Sequence, residues 1–304
     1  MFRANTVVVV GAGASVEVGL PVGSELLKQI VQLTHITFDF SRQVSGDNAI
    51  LQALRIILDE GGSVEKLNAH LEAGWQLGRS AKQAISIDNV IDALEDQKVE
   101  LVGKLGIARA ILHAESSSQK FKPNQEGEEM LDLSRFDDTW YSSLTKILTE
   151  NVRKSSIAEL FNNLQIINFN YDRCLEQYLP YSLAEYYGVK PSEIREHMKT
   201  LIVHRPYGSV GKLPWQEGDA PSVSFGHGGP AQLAAVAQQI RTFTERVNEG
   251  AELAAMRDAI GQADRIIFLG FAFHRQNVEL LAERVQNHTE ILATAHGTSK
   301  SDQS

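Results

Sequence analysis

Short apolar runs alternate with longer amphipathic stretches along this chain, and this alternation predicts a fold in which strands and helices follow one another. The first run, Thr6–Val10 (TVVVV), ends at Gly11. Its four valines are too β-branched and too few for a normal helix, so we expect a buried parallel strand. Further apolar runs predict strands at Leu164–Phe169, Leu201–His204, Arg265–Gly270 and Glu290–Ala295.

The stretches between these runs carry apolar residues at helical spacing. After the first strand we expect a helix to begin near Ser15 or, after Pro21, near Ser24, and we expect a short strand at Ile36–Phe40. Other predicted helices are 24–33, 50–58, 64–77, 87–94, 99–115, 140–152, 157–162, 172–179, one opening at 191, 231–263 and 277–286. The polar stretch 116–138 is expected to be an exposed, mobile loop, and 209–230 is expected to be irregular.

Together these elements predict an α/β fold, a doubly wound parallel sheet of Rossmann-like type with an inserted helical subdomain. We assign 1–34 and 139–304 to the sheet domain and 35–138 to a helical insertion or lid. Ligands of such sheets bind outside the carboxyl ends of the strands. The segments expected to converge there are Gly11–Ser15, Asn170–Asp172, His204–Ser209 and Gly270–Phe273.

The turn after the first strand has the composition of a phosphate-binding loop. Gly11 and Gly13 allow a tight turn and bring backbone N–H groups close to a ligand. The full dinucleotide fingerprint needs a small residue where this chain has Val16 and an acid near Gln29–Leu33, which has none. These departures argue against a classical dehydrogenase. The alternative is a glycine-rich turn that serves packing alone.

Composition narrows the class of protein. A net charge of −9 and a pI near 5.5 argue against a nucleic-acid-binding surface spread over the molecule. No apolar stretch approaches the roughly 20 residues of a membrane span, so we expect a soluble protein with no membrane contact. The single cysteine, Cys174, excludes an internal disulfide and a four-cysteine zinc site and fits a cytoplasmic location. It is expected to be a packing residue, and His227 and His274 lack metal-ligand spacing.

Four short motifs at the strand ends resemble the motifs of sirtuins, in the form found in bacterial sirtuin-like proteins that cleave NAD. They are Gly11–Ser15 (GAGAS) with Gly19-Leu20-Pro21, Asn168–Arg173 (NFNYDR), His204–Gly211 (HRPYGSVG) and Phe268–Asn277 (FLGFAFHRQN). The resemblance runs from Val7 to Ala295. It implies a Rossmann-like NAD-binding domain, with NAD as substrate and no metal.

The resemblance also implies roles for individual residues. The predicted catalytic residues are Asn170, Asp172 and His204. The predicted NAD-binding residues are Gly11, Ala12, Gly13, Ala14, Ser15, Tyr207, Gly208, Gly270, Phe271 and Asn277. Asp172 is also placed to cap the following helix. Asp88 and Asp92, four residues apart, either reach the site from the helical lid or lie on a solvated helix face.

Two departures from the family pattern matter. Deacetylating sirtuins carry an Asp-Phe-Arg sequence where this chain reads Val22-Gly23-Ser24, and they carry the zinc module excluded above, so a peptide-deacetylase role is not expected. Beside Gly208 stands Tyr207 where the family has its catalytic histidine. Either His204 occupies the same space through a bulge, which we favour because imidazole titrates near neutral pH, or Tyr207 contacts the ribose.

The resemblance thus implies an NAD⁺ nucleosidase that forms ADP-ribose and nicotinamide, acting as the gated effector of a bacterial antiphage defence system. Because uncontrolled NAD hydrolysis would harm its own cell, we expect gating by homo-oligomer assembly or by a partner protein. The alternative is a module that binds NAD or ADP-ribose without turnover and signals through a partner. No direct nucleic-acid binding is expected in either case.

Overall fold

A computed structural model of the chain describes residues 1–58, 63–122, 130–242, 250–281 and 285–295. Within these ranges the strands are β1 (Thr6–Val10), β2 (Thr37–Asp39), β3 (Arg42–Ser45), β4 (Leu164–Asn168), β5 (Ile202–His204), β6 (Arg265–Leu269) and β7 (Glu290–Ala293). The α-helices there are α1 (Gly23–Thr34), α2 (Asn48–Ile57), α3 (Val64–Ser80), α4 (Ile87–Leu94), α5 (Gln97–Ser117), α6 (Trp140–Thr149), α7 (Cys174–Tyr187), α8 (Pro191–Met198), α9 (Pro230–Ala237), α10 (Ala251–Gln262) and α11 (Arg275–Leu281).

In the described part of the chain, five strands form a parallel sheet in the order β5-β4-β1-β6-β7. The chain builds outward from β1 through β4 to β5 and then returns to the other side of β1 at β6. This reversal is the topological switch point at which doubly wound sheets bind ligands, beyond the carboxyl ends of the strands. The predicted α/β fold with a Rossmann-like parallel sheet is confirmed.

The alternation of side chains along β1 explains how the sheet is buried on both faces. Val7 and Val9 belong to one apolar cluster, while Val8 and Val10 belong to a second cluster on the opposite face. All four are at most 3% exposed. A strand covered by helices on both faces reads as a continuous apolar run, which is why TVVVV does not alternate with polar residues.

The helical insertion packs directly against the sheet. Apolar residues of α2, α3, α4 and α5 share one cluster with Val7 and Val9 of β1 and Ile167 of β4. The longest of these helices, α5, is buried over most of its length, from Val99 to Glu115. The insertion therefore supplies one of the two helical layers of the α/β domain.

Several predicted boundaries are wrong. The helix predicted to end at Leu179 continues through Pro180 to Tyr187, because its residues are buried on nearly all sides and Gly188 supplies a left-handed cap. The stretch predicted as an exposed loop at 116–138 begins as the last turn of α5 and includes the buried residues Phe121 and Phe136. Residues 123–129 of that predicted loop lie outside the described residues.

Other differences are smaller. The strand predicted near residues 36–40 is β2, which pairs with β3 in a separate hairpin and not with the main sheet. Residues 154–159 form a 3₁₀ helix, as do residues 12–18 after β1. The helices predicted over 231–263 are α9 and α10, and residues 243–249 lie outside the described residues. No helix in the described ranges is long and apolar enough to cross a membrane.

Candidate functional site

The turns that follow β1 and β6 lie against each other, backbone to backbone. The amide of Gly11 donates to the carbonyl of Leu269, and the amide of Gly13 donates to the carbonyl of Gly270, both at 2.9 Å. A Cβ atom on Gly270 would lie 1.9 Å from the amide nitrogen of Ala14, so this contact requires glycine. The glycines therefore hold the two central turns together, which is the packing role that the sequence left open.

These contacts limit what the turn offers to a ligand. The amides of Gly11, Gly13 and Ala14 all donate to carbonyl groups of the chain. Their predicted role as phosphate donors conflicts with these bonds, because an N–H group that already donates to a carbonyl is not free for a phosphate. Ala12 and Gly13 are exposed at the tip of the turn, whereas Ser15 is buried beneath it. Contact of Ala12 with NAD stays a prediction.

Asn170 joins the β4 loop to the glycine-rich turn. Its side-chain nitrogen, Nδ2, donates to the carbonyl of Gly11 and to Ser15 Oγ, each at 3.0 Å. Its main-chain amide donates to Asn168 Oδ1 at 2.9 Å. Both N–H bonds of the Asn170 side chain are therefore used, and in the described part of the chain no group donates to its Oδ1. A ligand would meet Asn170 as a hydrogen-bond acceptor.

Asp172 lies next to this pair and has two partners of its own. Its Oδ2 accepts a hydrogen bond from Ser15 Oγ at 2.8 Å, and its Oδ1 accepts from the amide of Cys174 at 3.0 Å. The second bond satisfies the amide of Cys174, the first residue of α7. The N-cap residue of α7 is Arg173, so Asp172, which the sequence predicted as the cap, lies one position before it. The structure thus brings together three residues predicted to act in one site: Ser15, Asn170 and Asp172.

Two aromatic residues of α6 support the same turn from the other side. The indole of Trp140 donates to the carbonyl of Ala14 at 2.8 Å. The phenol of Tyr141 lies near Ser15, and burial raises the pKa of Tyr141. Neither residue was predicted to belong to the site. The available signal was a tryptophan–tyrosine pair at the start of a predicted helix, which by itself indicates only packing.

Two buried arginines lie behind the Asn170 loop, and neither was predicted as a site residue. Arg205 donates from Nη1 to the main-chain carbonyl of Asn170 at 2.9 Å and from Nη2 to Glu176 at 2.6 Å. Arg173 forms a bidentate pair with Glu115 of α5, whose shorter contact is 2.5 Å. Both pairs link the β4 loop to its neighbours. In the sequence, each of these arginines directly follows a predicted site residue: Arg173 follows Asp172, and Arg205 follows His204.

The charges of this buried group do not balance. Three carboxylates, Glu115, Asp172 and Glu176, face the guanidinium groups of Arg173 and Arg205. Burial raises the pKa of Glu115, whereas its contact with Arg173 acts in the opposite direction. The group therefore carries a surplus of at most one negative charge. Such a surplus favours a cationic group beside it.

His204 is placed differently from the other predicted catalytic residues. Its ring nitrogen Nε2 hydrogen-bonds with Gln165 on the adjacent strand at 3.2 Å. Burial lowers the pKa of His204, and the more distant Glu252 raises it less, so the imidazole is neutral at neutral pH. Within the described residues it forms no hydrogen bond with Asn170. The structure does not bring His204 into the Ser15–Asn170–Asp172 group.

Tyr207 links the two outer loops across the carboxyl ends of the central strands. Its hydroxyl donates to Asn277 Oδ1 at 2.6 Å, although the two residues follow β5 and β6 on opposite sides of β4 and β1. Its ring packs edge-on against Phe169, which contacts Phe271 in the same way. Burial raises the pKa of Tyr207, and Asp88 of α4 adds to the rise. The approach of Asp88 and Asp92 to the site from the helical insertion stays a prediction.

Cys174 is buried, which raises the pKa of its thiol and fits the predicted packing role. In the ranges that the structure describes, no three His, Cys, Asp or Glu residues are grouped to hold a metal ion.

No family model and no curated protein matches this chain. What the site does is therefore inferred from its own residues and from the resemblance of its motifs to those of sirtuin-like proteins.

Proposed function

We propose that the protein is an NAD⁺ nucleosidase that forms ADP-ribose and nicotinamide. The observation that carries the proposal is the position of Asn170. It follows β4, beside the switch point between β1 and β6. Its side-chain nitrogen is bound to Gly11 and Ser15, and its Oδ1 accepts no hydrogen bond from the described residues. The sirtuin-like motifs come from four strand ends, and the switch point is where such a sheet binds a dinucleotide.

The reaction breaks the bond between nicotinamide and the ribose C1′ and adds water at that carbon. The bonding electrons leave with nicotinamide, which becomes neutral, and the sugar passes through an oxocarbenium-like transition state. Asn170 Oδ1 would accept a hydrogen bond from a ribose hydroxyl or from the attacking water. Asp172 and the negative surplus behind it would stabilise the positive charge that develops at the sugar.

The proton released by water needs a base, and two residues remain candidates. His204 is neutral at neutral pH and can accept a proton, but it needs to exchange its contact with Gln165 for one with the substrate. Tyr207 keeps its proton because its pKa is raised, so it would position the ribose instead of acting as a base. We propose His204 as the base and Asn170 and Asp172 as the residues around the reacting carbon.

Nicotinamide release from NAD, measured by liquid chromatography, tests the proposal directly. The set comprises the wild type, Asn170→Ala, His204→Ala and Tyr207→Phe, assayed over a range of protein concentrations. Asn163→Ala is the matched control, because the side chain of Asn163 donates to the carbonyl of Phe2 at the opposite end of the sheet. We expect release by the wild type and the control and a loss of about 100-fold in Asn170→Ala. A folded wild-type protein that releases no nicotinamide at any protein concentration, with or without candidate activators, would refute the proposed NAD⁺ nucleosidase.

A second candidate function is binding of NAD or ADP-ribose without turnover. It is favoured by the hydrogen bond of Tyr207 with Asn277, which leaves no titrating base beside Gly208. Calorimetric binding of NAD with no product after long incubation would support this function over the first.

We further propose that activity is gated by assembly or by a partner, as expected for an antiphage effector. Size-exclusion chromatography coupled to the activity assay tests this. Full activity in a monomer without any stimulus would contradict it.

A further inference from the structure

The side chain of Arg205, in the loop after β5, contacts the main chain of Asn170. The guanidinium of Arg205 donates to the main-chain carbonyl of Asn170 at 2.9 Å and to Glu176 Oε1 at 2.6 Å. The loop closes on itself beside this side chain, because the amide of Gly208 donates to the carbonyl of Arg205 at 2.9 Å. Arg205 is thus a direct link between the third strand-end loop and Asn170.

We propose that Arg205 is a positioning residue, which sets the place of the Asn170 amide through the Asn170 main chain. This inference rests on the proposed NAD⁺ nucleosidase function. The side chain of Asn170 is fixed from one side by Gly11 and Ser15. Arg205 fixes its carbonyl from the other side, so the direction of Oδ1 depends on both.

Glu176 makes arginine the suitable residue at this position. It lies in the first turn of α7, and its side chain is 6% exposed against 14% for Arg205. The planar fork of a guanidinium can donate to the carboxylate and to the Asn170 carbonyl at the same time. An ammonium group on a lysine is a single point of charge, so it would keep the contact with Glu176 and weaken the contact with Asn170.

Arg173 provides a matched comparison within the same buried group. It is an arginine of equal or greater burial, and it pairs with Glu115 and with the carbonyls of Val223 and Ser224. In the described part of the chain its side chain makes no hydrogen bond with Asn170. A role in stability alone predicts similar effects for both arginines, whereas positioning of Asn170 is specific to Arg205.

The test compares Arg205→Lys, Arg205→Met and Arg173→Lys with the wild type. Steady-state kinetics of nicotinamide release gives kcat and KM for NAD, and thermal unfolding gives the folded fraction. We expect a fall of about 100-fold in kcat for Arg205→Met, since small misplacements of a reacting group have effects of this size. Arg205→Lys should lose less kcat than Arg205→Met, and the KM for NAD should change by less than about twofold in both variants. Arg173→Lys should lower Tm, with kcat per folded molecule within about twofold of the wild type.

A second readout does not depend on activity. The side-chain NH₂ signal of Asn170, assigned by its absence in Asn170→Ala, should shift in both Arg205 variants and stay in place in Arg173→Lys. Unchanged kcat and an unshifted signal in Arg205→Met would overturn the inference. If the wild type releases no nicotinamide with or without candidate activators, the proposed function fails, and the NMR signal alone decides whether Arg205 positions Asn170.

Discussion

The contact between the two central turns predicts an unequal effect of the same substitution at two glycines. Gly270 and Gly188 have nearly the same left-handed backbone, with φ of 55° and 60°. A Cβ atom at Gly188 would have no neighbour within 4 Å, whereas one at Gly270 would lie 1.9 Å from the amide nitrogen of Ala14 and 2.3 Å from the carbonyl carbon of Gly13. Alanine at Gly188 therefore introduces backbone strain alone, whereas alanine at Gly270 adds a clash that forces the two turns apart.

The expected magnitudes follow from these distances. A non-glycine residue in the left-handed region costs about 1–2 kcal/mol, and this applies at both sites. At Gly270 the two turns must also separate by about 1.5 Å, the difference between 1.9 Å and an ordinary contact of 3.4 Å. The bonds from the amides of Gly11 and Gly13 to the β6 turn would then be lost. Two such bonds add about 1–3 kcal/mol.

Urea unfolding followed by circular dichroism measures both variants. We expect Gly188→Ala to lower the free energy of unfolding by about 1–2 kcal/mol and Gly270→Ala by about 2–5 kcal/mol. In a thermal melt the corresponding falls in Tm are roughly 2–4 °C and 4–10 °C. Equal losses in the two variants would show that the turns after β1 and β6 are not in backbone contact.

Three further substitutions test other contacts. Tyr207→Phe removes the donor to Asn277 and should lower the free energy of unfolding by about 1 kcal/mol, measured in urea. His204→Gln should reduce the pH dependence of Tm. Burial lowers the pKa of His204 in the folded state, so the unfolded chain binds more protons than the folded one. The wild type should therefore lose stability relative to the variant as pH falls below about 6.5. Glu115→Gln leaves Arg173 without its buried carboxylate and should cost about 3–5 kcal/mol in the same urea assay.

Each of these expectations has a control. Glu290→Gln removes the partner of the exposed Arg265 and should change stability by less than about 1 kcal/mol, in contrast to Glu115→Gln. His113→Gln, at an exposed position on α5, is the matched histidine-to-glutamine control for the same measurement. A profile for His204→Gln that matches the wild type between pH 5 and 8, a range about the usual histidine pKa, would show that His204 is not the group that titrates.

The central strands β1 and β4 were predictable because they are buried on both faces. TVVVV is β-branched at every position, LQIIN has two isoleucines at its centre, and Gly11 and Asn170 mark the two carboxyl ends. The hairpin of β2 and β3 was missed in part because Arg42–Ser45 is polar and exposed, so no apolar period marks it. The passage of α7 through Pro180 was missed because a local rule about proline is overridden by burial in the core.

The candidate site was predictable only in part, because local sequence patterns identify some of its residues and not others. Asn170, Asp172 and Ser15 belong to motifs in which residue type and spacing carry information, and they lie together in the structure. Glu176 and Tyr141 lie inside ordinary helices, where the sequence gives no sign that they face the strand ends. The hydrogen bond from the Gly13 amide to the Gly270 carbonyl was not predictable, because it depends on how closely two turns far apart in the sequence approach each other.

The pairing of Glu115 with Arg173 restricts how this protein could have been assembled or modified in evolution. One partner is supplied by the long helix of the insertion and the other by the loop after β4, and both are excluded from water. Deleting the insertion, or exchanging it for an unrelated one, would remove the carboxylate that pairs with Arg173 and the helices that cover it. Fragments divided between the two regions are therefore not expected to be stable alone.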